Sequence, residues 1–270
     1  MPELPEVENT RRYLVEAGLV GRTITGASIG WPKSLKQPDL EDFLLDLPGR
    51  QVTEVGRRGK YLLVNLDTQD TLVLHLGMTG GLRIYPQSDE PDPMVRHHFT
   101  LDDRWELRFV DPRKFGHIWL TKDWAATLPP FGPEPLEPNF TAEVLAGQLH
   151  GRNAPIKAIL LEQSIIAGLG NLYADESLYL AGVHPLRPAS ELTAKEILGL
   201  RDSIVGSLSA ALDLYDRSRV ESGPIPPFGL STWTIPRKGG ESCPTCGGAI
   251  AGIRVRGRGT YYCRGCQPEG

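Results

Sequence analysis

The sequence of 270 residues predicts an α+β protein with an N-terminal β-sandwich opened by a helix, a C-terminal helical part and a zinc-bound β-hairpin. Three observations support this prediction. Residues 1–125 contain many short segments of alternating apolar residues, which are typical of a sandwich or a barrel. Residues 141–219 have apolar side chains at helical spacing, and all four cysteines lie within residues 243–266, in two pairs.

The composition is that of an ordinary globular protein, with 40% hydrophobic, 23% charged and 7% aromatic residues. These values exclude collagen-like, mucin-like and disordered classes, and the length corresponds to roughly two domains of about 100–150 residues. No apolar run approaches the roughly 18 residues that a membrane span requires. The acidic start from Met1 to Glu6 lacks the apolar core of a signal peptide. We therefore expect a cytoplasmic protein without a membrane partner.

The net charge of the whole chain is negative, whereas that of its C-terminal segment is positive. The chain has 29 basic and 33 acidic residues, a net charge of −4, whereas nucleic-acid-binding domains usually have a basic surplus. Residues 237–270 carry 6 basic and 2 acidic residues, a net charge of +4. Because binding depends on where charges lie, the net charge does not exclude a nucleic-acid partner.

The N-terminal region begins with a predicted helix from Glu3 to about Ala17, which Gly18 ends. Short strands are predicted after it. The leucines of residues 72–76 share one face, and apolar residues alternate with charged ones in residues 105–109. Turns are predicted at Gly80-Gly81 and Asp102-Asp103.

Residues 126–140 contain five prolines and predict a linker between domains. Helical spacing follows the linker, and either Ser190 or Thr193 is the expected N-cap of the last helix. Glycine, proline and serine occur throughout residues 220–242, which predicts a loop before the cysteine pairs. The predicted helices span residues 154–166, 172–181 and 193–217.

The cysteines form two C-x2-C pairs separated by sixteen residues, and this spacing suits zinc with four thiolate ligands. Strands are predicted at residues 249–256 and 260–262, with a turn at residues 257–259. Two disulfides or a redox pair are the alternatives, and a cytosolic location disfavours disulfides. Four thiolates leave no open position for catalysis, so one structural Zn2+ is expected. The ligands would be Cys243, Cys246, Cys263 and Cys266.

The segment Gly168-Leu169-Gly170-Asn171 permits three interpretations. It fits a dinucleotide-binding fingerprint loosely, but that site needs a preceding strand, and here helices are predicted on both sides. A two-glycine turn before a helix can instead offer backbone N–H groups to an anion such as phosphate. The third interpretation is a simple tight turn.

Five motifs and the cysteine hairpin follow one another along nearly the whole chain. The motifs are PELPEVE at 2–8, GKYL at 59–62, HLGMTG at 75–80, DPRKFG at 111–116 and GLGNLYADE at 168–176. This series closely resembles the formamidopyrimidine-DNA glycosylase family of base-excision repair. Leu4 favours this branch over the sister group, endonuclease VIII, which tends to carry a different residue there.

The resemblance implies a bifunctional DNA glycosylase and AP lyase that removes oxidised bases of the formamidopyrimidine and 8-oxoguanine class. Once Met1 is removed, the Pro2 amine would attack C1′ of the damaged nucleoside and form an iminium, and β,δ-elimination would then cleave the strand. Glu3 would act as a general acid–base group. Lys60 and Arg258 would bind phosphates and assist elimination.

Pro2, Glu3 and Lys60 also have simpler structural interpretations. Pro2 can be a helix-starting proline, and Lys60 can be a solvated hairpin lysine. Glu3 and Glu6 can be first-turn acids that favour the helix dipole. Glu6 can alternatively orient the Pro2 amine.

Base flipping explains a second group of residues that the resemblance implies. An extruded base leaves a gap, which Met78, Arg113 and Phe115 would fill as an apolar wedge, a planar cation and a stacking ring. Packing in the β-core is the alternative for Met78 and Phe115. The other expected DNA contacts are Arg96, Arg152, Lys157 and Asn171.

Residues 220–242 depart from the family pattern, because the usual Gly-Gly-[Ser/Thr]-Thr-Leu stretch is absent and prolines stiffen the predicted loop. Since pocket contacts decide which base is accepted, we expect a lesion spectrum that is broader than, or shifted from, 8-oxoguanine. The expected domains are a catalytic β-sandwich (1–125), a Pro-rich linker (126–140), a helix–two-turn–helix domain with its loop (141–236) and a zinc finger (237–270).

Two other functions are compatible with parts of the sequence. A catalytically inactive zinc-finger protein on the same scaffold would bind damaged duplexes without cleaving them. An RNA-binding zinc-ribbon protein would prefer structured RNA and would not need a free N-terminal proline. Pro2, Glu3 and Lys60 favour the enzyme, for which we expect damaged double-stranded DNA as partner and a monomeric state.

Overall fold

The computed structural model of the protein describes residues 1–222 and 233–269, which form two compact units. The first contains Met1–Pro129 and residues 215–222, and the second contains Pro130–Leu214 and residues 233–269. The helices are α1 (Leu4–Glu16), α2 (Leu40–Asp46), α3 (Trp124–Thr127), α4 (Ala142–Leu149), α5 (Ile156–Leu160), α6 (Asn171–Leu180) and α7 (Ala194–Ser222). The strands are β1 (Thr23–Ile29), β2 (Leu35–Gln37), β3 (Arg50–Arg58), β4 (Tyr61–Leu66), β5 (Thr71–His75), β6 (Gly81–Pro86), β7 (Val95–Leu101), β8 (Trp105–Val110), β9 (His117–Thr121), β10 (Ile250–Val255) and β11 (Arg258–Cys263).

The strands of the first unit are hydrogen-bonded in the order β2-β9-β5-β4-β3-β1-β7-β8-β6. Neighbouring strands are antiparallel except for the parallel pair of β2 and β9. The two halves are joined at β3 and β1, which share two paired positions. Leu62 and Leu74 of one half and Phe99 of the other lie in one buried core. Two sheets that enclose a common core form a β-sandwich.

The opening helix is explained by its own sequence. Pro5 lies in the first turn, where its missing N–H removes no helical hydrogen bond. Leu4, Val7 and Leu14 are fully buried at helical spacing, so one face of α1 packs in the core. Gly18 follows the last turn with φ +75°, a conformation that ends helices. The predicted opening helix is therefore present.

The second unit contains α4 to α6, most of α7 and the β10–β11 hairpin. The helix predicted at residues 154–166 is shorter, because the Gln163 side chain bonds the Gly168 N–H and the Leu169 carbonyl and forms a turn instead. Thr193 and Glu196 exchange hydrogen bonds at the start of α7, which confirms Thr193 as the cap. This helix extends beyond the predicted end at residue 217, because residues 218–222 contain no glycine or proline. The predicted α+β architecture is confirmed.

The predicted linker contains residues that pack within the second unit, which begins at Pro130. Phe140 is fully buried, and the Gly132 N–H donates to the Gln163 carbonyl at 2.9 Å. A Cβ at Gly132 would lie 2.3 Å from the Ile165 carbonyl oxygen, so this approach requires glycine. The four-part division of the chain proposed from the sequence stays a prediction.

Residues 223–232 lie outside the described part of the chain. The departure from the family pattern at residues 220–242, and the altered lesion spectrum expected from it, therefore stay predictions. Among the described residues, no helix combines the length and the apolar character needed to cross a membrane.

A buried histidine gives the first unit a pH dependence. His97 on β7 is fully buried, with its Nε2 3.1 Å from the Ser34 hydroxyl. Burial, aided by the charges of His98 and Arg96, lowers the pKa of His97 from 6.5 to about 4. Between these pH values the unfolded chain binds a proton that the folded chain does not, so stability falls as the pH falls.

We expect His97 to reduce the free energy of unfolding by up to about 3 kcal/mol between pH 6.5 and pH 4, measured by urea denaturation at a series of pH values. His97→Leu removes the titrating group and should flatten the profile by this amount. An unchanged slope in the variant would contradict the prediction and assign the acid sensitivity to other groups, such as His75, whose pKa burial also lowers to about 4.

Candidate functional site

The first residues of the chain lie at the start of α1. Pro2 is half-buried and precedes Glu3, the buried N-cap residue of the helix. Leu4 and Val7 are fully buried and hold the first turn in the core. The Oε2 atom of Glu6 accepts a 2.8 Å hydrogen bond from the Glu3 N–H, as in a capping box. The structure thus brings Pro2, Glu3 and Glu6 together at one helix end.

Tyr215 of α7 contacts this helix end and was missed by the sequence reasoning. Its hydroxyl donates a 3.0 Å hydrogen bond to Glu6 Oε1, and its side chain is buried. Burial and the negative charge of Glu6 raise the pKa of Tyr215 above its ordinary value, so the hydroxyl stays protonated. Three further polar contacts join the last part of α7 to α1: Arg12–Asp216, Asn9–Arg219 and Glu16–Arg219.

Lys60 lies in the tight turn between β3 and β4, after Gly59 with φ +54°. It is 7% exposed, which excludes a fully solvated hairpin lysine. Arg57 donates to the Gly59 carbonyl at 2.9 Å and contacts Glu8 of α1 at 3.2 Å. Glu8 therefore ties the Lys60 turn to the helix that begins after Pro2.

Glu8 binds three arginines at once: Arg11, Arg12 and Arg57. Burial alone would raise the pKa of Glu8, but the hydrogen bonds and charges of these arginines outweigh burial and lower the pKa. The carboxylate is therefore charged at neutral pH and acts as a fixed anchor. The PELPEVE motif identified the segment around Glu8 from the sequence, but no sequence feature near Glu8 predicted Arg57 as its partner.

A neutral histidine precedes the turn that carries Met78. The His75 ring lies 6.1 Å from the His117 ring. Burial, followed by the charges of His117 and Lys60, lowers the pKa of His75 to about 4. The Nδ1 atom of neutral His75 accepts the Gly77 N–H at 3.2 Å, which shapes this turn.

Two loops that approach each other carry the three residues predicted to fill a gap in DNA. A Cβ at Gly77, where φ is +64°, would lie 2.5 Å from the carbonyl carbon of Phe115, so only glycine permits the approach. The Arg113 guanidinium lies 5.0 Å from the centre of the Phe115 ring, a cation–π contact. Phe115 is 49% exposed, which excludes core packing for it, and Met78 is half-buried.

Two arginines predicted to contact DNA bond to nearby backbone. Arg96 on β7 donates to the Pro93 carbonyl at 2.7 Å, within the loop that precedes its strand. Arg152, after α4, donates to the Gln148 carbonyl at 2.8 Å and remains exposed. The structure places these two arginines on separate units.

Lys157 of α5 is fully buried in the second unit. Its ammonium lies 2.6 Å from Asp175 Oδ1 and donates to the Thr260 hydroxyl at 2.6 Å and the Gly259 carbonyl at 3.1 Å. The predicted phosphate contact of Lys157 does not fit this position, because the ammonium faces the interior. The lysine instead joins α5 to α6 and to the hairpin.

Asp175 of α6 is the acidic centre of these contacts. Its Oδ2 lies 3.1 Å from the Arg237 guanidinium and accepts the Tyr261 N–H at 3.3 Å. Burial raises the pKa of Asp175, and the charges of Lys157 and Arg237 oppose this rise. The carboxylate thus holds the hairpin at the Tyr261 backbone and the segment before the hairpin at Arg237. The sequence had marked Asp175 only as part of a motif.

Arg258 is exposed at the first position of β11. The next residue, Gly259, offers its carbonyl to Lys157 and also to Asn171, whose Nδ2 donates at 3.1 Å. Two predicted site residues therefore hold the backbone beside Arg258.

The two-glycine turn before α6 lies between helices. Gly168 has φ +81°, α5 precedes the turn and Asn171 begins α6. No strand occurs in the described residues 141–222, so the dinucleotide-binding interpretation is excluded.

The four cysteine sulfurs lie within 4.8 Å of one another. The Sγ–Sγ distances are 3.8 Å for Cys243–Cys266 and 3.4 Å for Cys246–Cys263. A tetrahedron with Zn–S bonds of about 2.3 Å has edges of about 3.8 Å, whereas a disulfide bond is about 2.05 Å. The sulfurs therefore fit one structural zinc ion, and the disulfide alternative is excluded. Tyr179 of α6 supports the site, with its hydroxyl 3.1 Å from Cys243 Sγ.

A β-sandwich with an opening helix, a helical unit with a glycine turn and a four-cysteine hairpin that fits one zinc ion follow one another along the chain and define a zinc-finger protein of α+β class. Three family models match the chain in this order. They are "Formamidopyrimidine-DNA glycosylase N-terminal domain" at residues 1–118, "Formamidopyrimidine-DNA glycosylase H2TH domain" at residues 131–221 and "Zinc finger found in FPG and IleRS" at residues 240–268. The chain belongs to the formamidopyrimidine-DNA glycosylase family.

Relatives and solved structures agree with this assignment over the full length. The formamidopyrimidine-DNA glycosylase of Bacillus subtilis is 42% identical, and the match covers 100% of each chain. That of Pelotomaculum thermopropionicum is 40% identical, and the match covers 99% of each chain. The Lactococcus lactis enzyme in complex with a FAPY-dG containing DNA has a TM-score of 0.88 at 33% identity, covering 99% of this chain and 100% of that one. The Thermus thermophilus protein has a TM-score of 0.85 at 37% identity, with both chains fully covered. The family predicted from the sequence motifs is confirmed.

We expect zinc removal to open the β10–β11 hairpin first, because metal binding and folding are coupled in such sites. Elemental analysis should find one zinc per chain. Chelation should increase amide hydrogen exchange in the hairpin by at least about tenfold, and added zinc should reverse the change. Hairpin exchange that is the same in the zinc-free protein would contradict a structural role for the metal.

Proposed function

We propose that the protein is a bifunctional DNA glycosylase and AP lyase that removes oxidised bases from damaged double-stranded DNA. The observation that carries the proposal is the family match over the whole chain, with Pro2 and Glu3 at the start of α1. The Lactococcus lactis relative has been solved with FAPY-dG containing DNA and with AP-site containing DNA. We extend these two DNA partners to this chain.

Pro2 supplies the nucleophile once Met1 is removed. Its secondary amine attacks C1′ of the damaged nucleotide, and the base leaves with the electron pair of the glycosidic bond. The C1′–O4′ bond of the sugar then breaks, the ring oxygen takes up a proton, and the nitrogen lone pair forms the C1′=N bond of an iminium. The resulting iminium withdraws electrons and makes the C2′ proton acidic. Loss of that proton expels the 3′ phosphate, and a second elimination expels the 5′ phosphate. Base removal and strand cleavage thus share one covalent intermediate.

Glu3 and Lys60 assist this chemistry from the same unit. Glu3 is the residue next to the amine, and we assign it proton transfer at the deoxyribose ring oxygen. Lys60 binds the phosphates that flank the lesion. The contact of Arg57 with Glu8 supports this pairing of roles, since it ties the Lys60 turn to α1.

Met78, Arg113 and Phe115 enter the DNA when the damaged base is extruded. The half-exposed Phe115 ring stacks on a neighbouring base, and the Arg113 guanidinium beside it bonds the base left without a partner. An exposed ring next to an exposed cation is unfavourable for core packing and favourable for contact with a base. The close approach of the two loops at Gly77 supports a joint action of the three residues.

In the second unit, Arg258 binds a phosphate and assists the second elimination. Asn171 and Arg152 contribute contacts to the DNA backbone, whereas the buried Lys157 acts by holding the hairpin. Arg96 stays a predicted contact whose guanidinium would first have to leave the Pro93 carbonyl.

We further propose that the protein acts as a monomer in the cytoplasm, because one lesion requires one amine and the four cysteines suit a reducing compartment. A catalytically inactive protein that binds damaged DNA is the alternative. It would not require Pro2 and Glu3 at the helix start, so their presence favours the enzyme.

Borohydride trapping tests the central step, because borohydride reduces an iminium to a stable protein–DNA adduct. We expect the zinc-loaded protein, with Met1 removed, to form an adduct with a duplex that contains 8-oxoguanine opposite cytosine and with an abasic-site duplex. An uncleaved N-terminal extension converts the Pro2 amine into an amide and should reduce trapping at least about 100-fold.

The outcomes of this experiment distinguish the proposed enzyme from a lyase with another preferred lesion and from an inactive DNA-binding protein. Trapping on the abasic site alone would retain the lyase and indicate a different preferred lesion. Duplex binding without any adduct would contradict the enzyme and support the inactive DNA-binding protein. Equal trapping by the extended chain would show that another amine is the nucleophile.

The salt dependence of DNA binding tests Arg258. Each phosphate contact contributes about −0.9 to the slope of log K against log salt, so Arg258→Ala should reduce the magnitude of this slope by about one. The measurement uses a duplex with a tetrahydrofuran abasic analogue. Arg256→Ala is the matched control, because the Arg256 guanidinium already pairs with Glu162 at 2.6 Å and should affect the slope less. An unchanged slope in Arg258→Ala would remove this residue from the phosphate contacts.

A further inference from the structure

We propose that Tyr215 is a positioning residue for the Pro2 amine and that it acts through the Glu6 carboxylate. Because it takes Pro2 as the nucleophile, this proposal rests on the proposed function. Tyr215 lies outside the motifs that resemble the family. It is 209 residues from Glu6 in sequence, yet the two side chains are hydrogen-bonded.

The two oxygens of the Glu6 carboxylate are used by two different donors. Oε1 accepts the Tyr215 hydroxyl at 3.0 Å, and Oε2 accepts the Glu3 N–H at 2.8 Å. The Glu3 nitrogen belongs to the peptide group that it shares with Pro2, and peptide groups are planar. A carboxylate that holds this N–H in place therefore restricts the orientation of the Pro2 residue and its amine.

The tyrosine is suited to hold the carboxylate. Its side chain is 2% exposed, and a buried hydroxyl requires a hydrogen-bond partner. Since burial and the charge of Glu6 keep the hydroxyl protonated, Tyr215 can only donate to the carboxylate, and a charged acceptor strengthens that bond. Without the hydroxyl, the Glu6 carboxylate loses a hydrogen bond that fixes its orientation toward the Glu3 N–H.

The backbone of Tyr215 is held in place independently of its hydroxyl. The next residue, Asp216, pairs with Arg12, and Arg219 one turn later contacts Asn9 at 2.7 Å. These contacts join α7 to α1 without involving Glu6. Tyr215→Phe therefore removes one hydrogen bond and leaves the packing of both helices.

The test is single-turnover borohydride trapping on an abasic-site duplex with the protein in excess, which reports the step made by the amine. We expect Tyr215→Phe to reduce the trapping rate about tenfold, because small displacements of a reacting group have large effects on rate. The dissociation constant for a tetrahydrofuran duplex should change less than about twofold, since Tyr215 is not proposed to touch DNA.

Asp216→Asn is the matched control, because it removes the charge pairs of the neighbouring residue with Arg12 and Arg219 and leaves the contact between Tyr215 and Glu6. Its trapping rate should stay within about twofold of wild type. A tenfold loss in this variant as well would overturn the proposal and assign the effect to the general packing of α7 on α1. Thermal unfolding midpoints of both variants establish that each is folded at the assay temperature.

A double-mutant cycle tests whether Tyr215 acts through Glu6. In a Glu6→Gln background, Tyr215→Phe should change the trapping rate by less than about twofold, because the two residues act as one unit. The same tenfold loss in both backgrounds would overturn the route through Glu6. If wild type is active and Tyr215→Phe is unaffected, only the positioning role fails. If wild type forms no adduct, the proposed function fails with it.

Discussion

The buried ion pair between Lys157 and Asp175 determines how the second unit is assembled. A fully buried charge is strongly destabilising when alone, so each of these residues requires the other. The pair also bonds to the hairpin, at Thr260, Gly259 and Tyr261, and Asp175 contacts Arg237 before the hairpin. Three segments that are distant in sequence, α5, α6 and the β10–β11 hairpin, therefore converge on one pair. The zinc ion folds the finger, whereas the ion pair sets where the finger and its exposed Arg258 lie within the unit.

In the first unit, charged side chains likewise join the opening helix to segments that are distant in sequence. An N-terminal residue is usually poorly ordered, which is unfavourable for a group that must attack one carbon atom. Burial of Leu4 and Val7 fixes the first turn of the helix in the core, and two carboxylates of the helix bind neighbouring segments. Glu8 binds the turn that carries Lys60 through Arg57, and Glu6 binds the last part of α7 through Tyr215. One helical segment thus connects the proposed nucleophile to two distant parts of the chain.

The sequence predicted the features whose chemistry is local. Cysteine spacing predicted the zinc site, the glycine after the first helix predicted its end, and the motifs predicted the family. Contacts across long sequence separations left no such signal. Lys157 has the pattern of a helical surface residue until Asp175 is placed beside it, so its burial was not predicted. The helix expected at residues 154–166 stopped early for a similar reason, because Gln163 bonds a backbone turn that only the folded chain contains.

The same ion pairs explain how an acidic chain fits a DNA-binding family. Glu8, Asp175 and Asp216 bind arginines within their own units, and charges paired in this way largely cancel at a distance. A net charge of −4 therefore does not describe the local field. Arg113, beside Phe115, and Arg258, in the basic C-terminal segment, are exposed cations of the two units. Because binding to a phosphate backbone depends on the number of phosphates that cations neutralise, these exposed arginines, and not the net charge, are the groups that matter for the proposed DNA contacts. In the proposed function, recognition depends on the extruded base and the inserted side chains rather than on total charge.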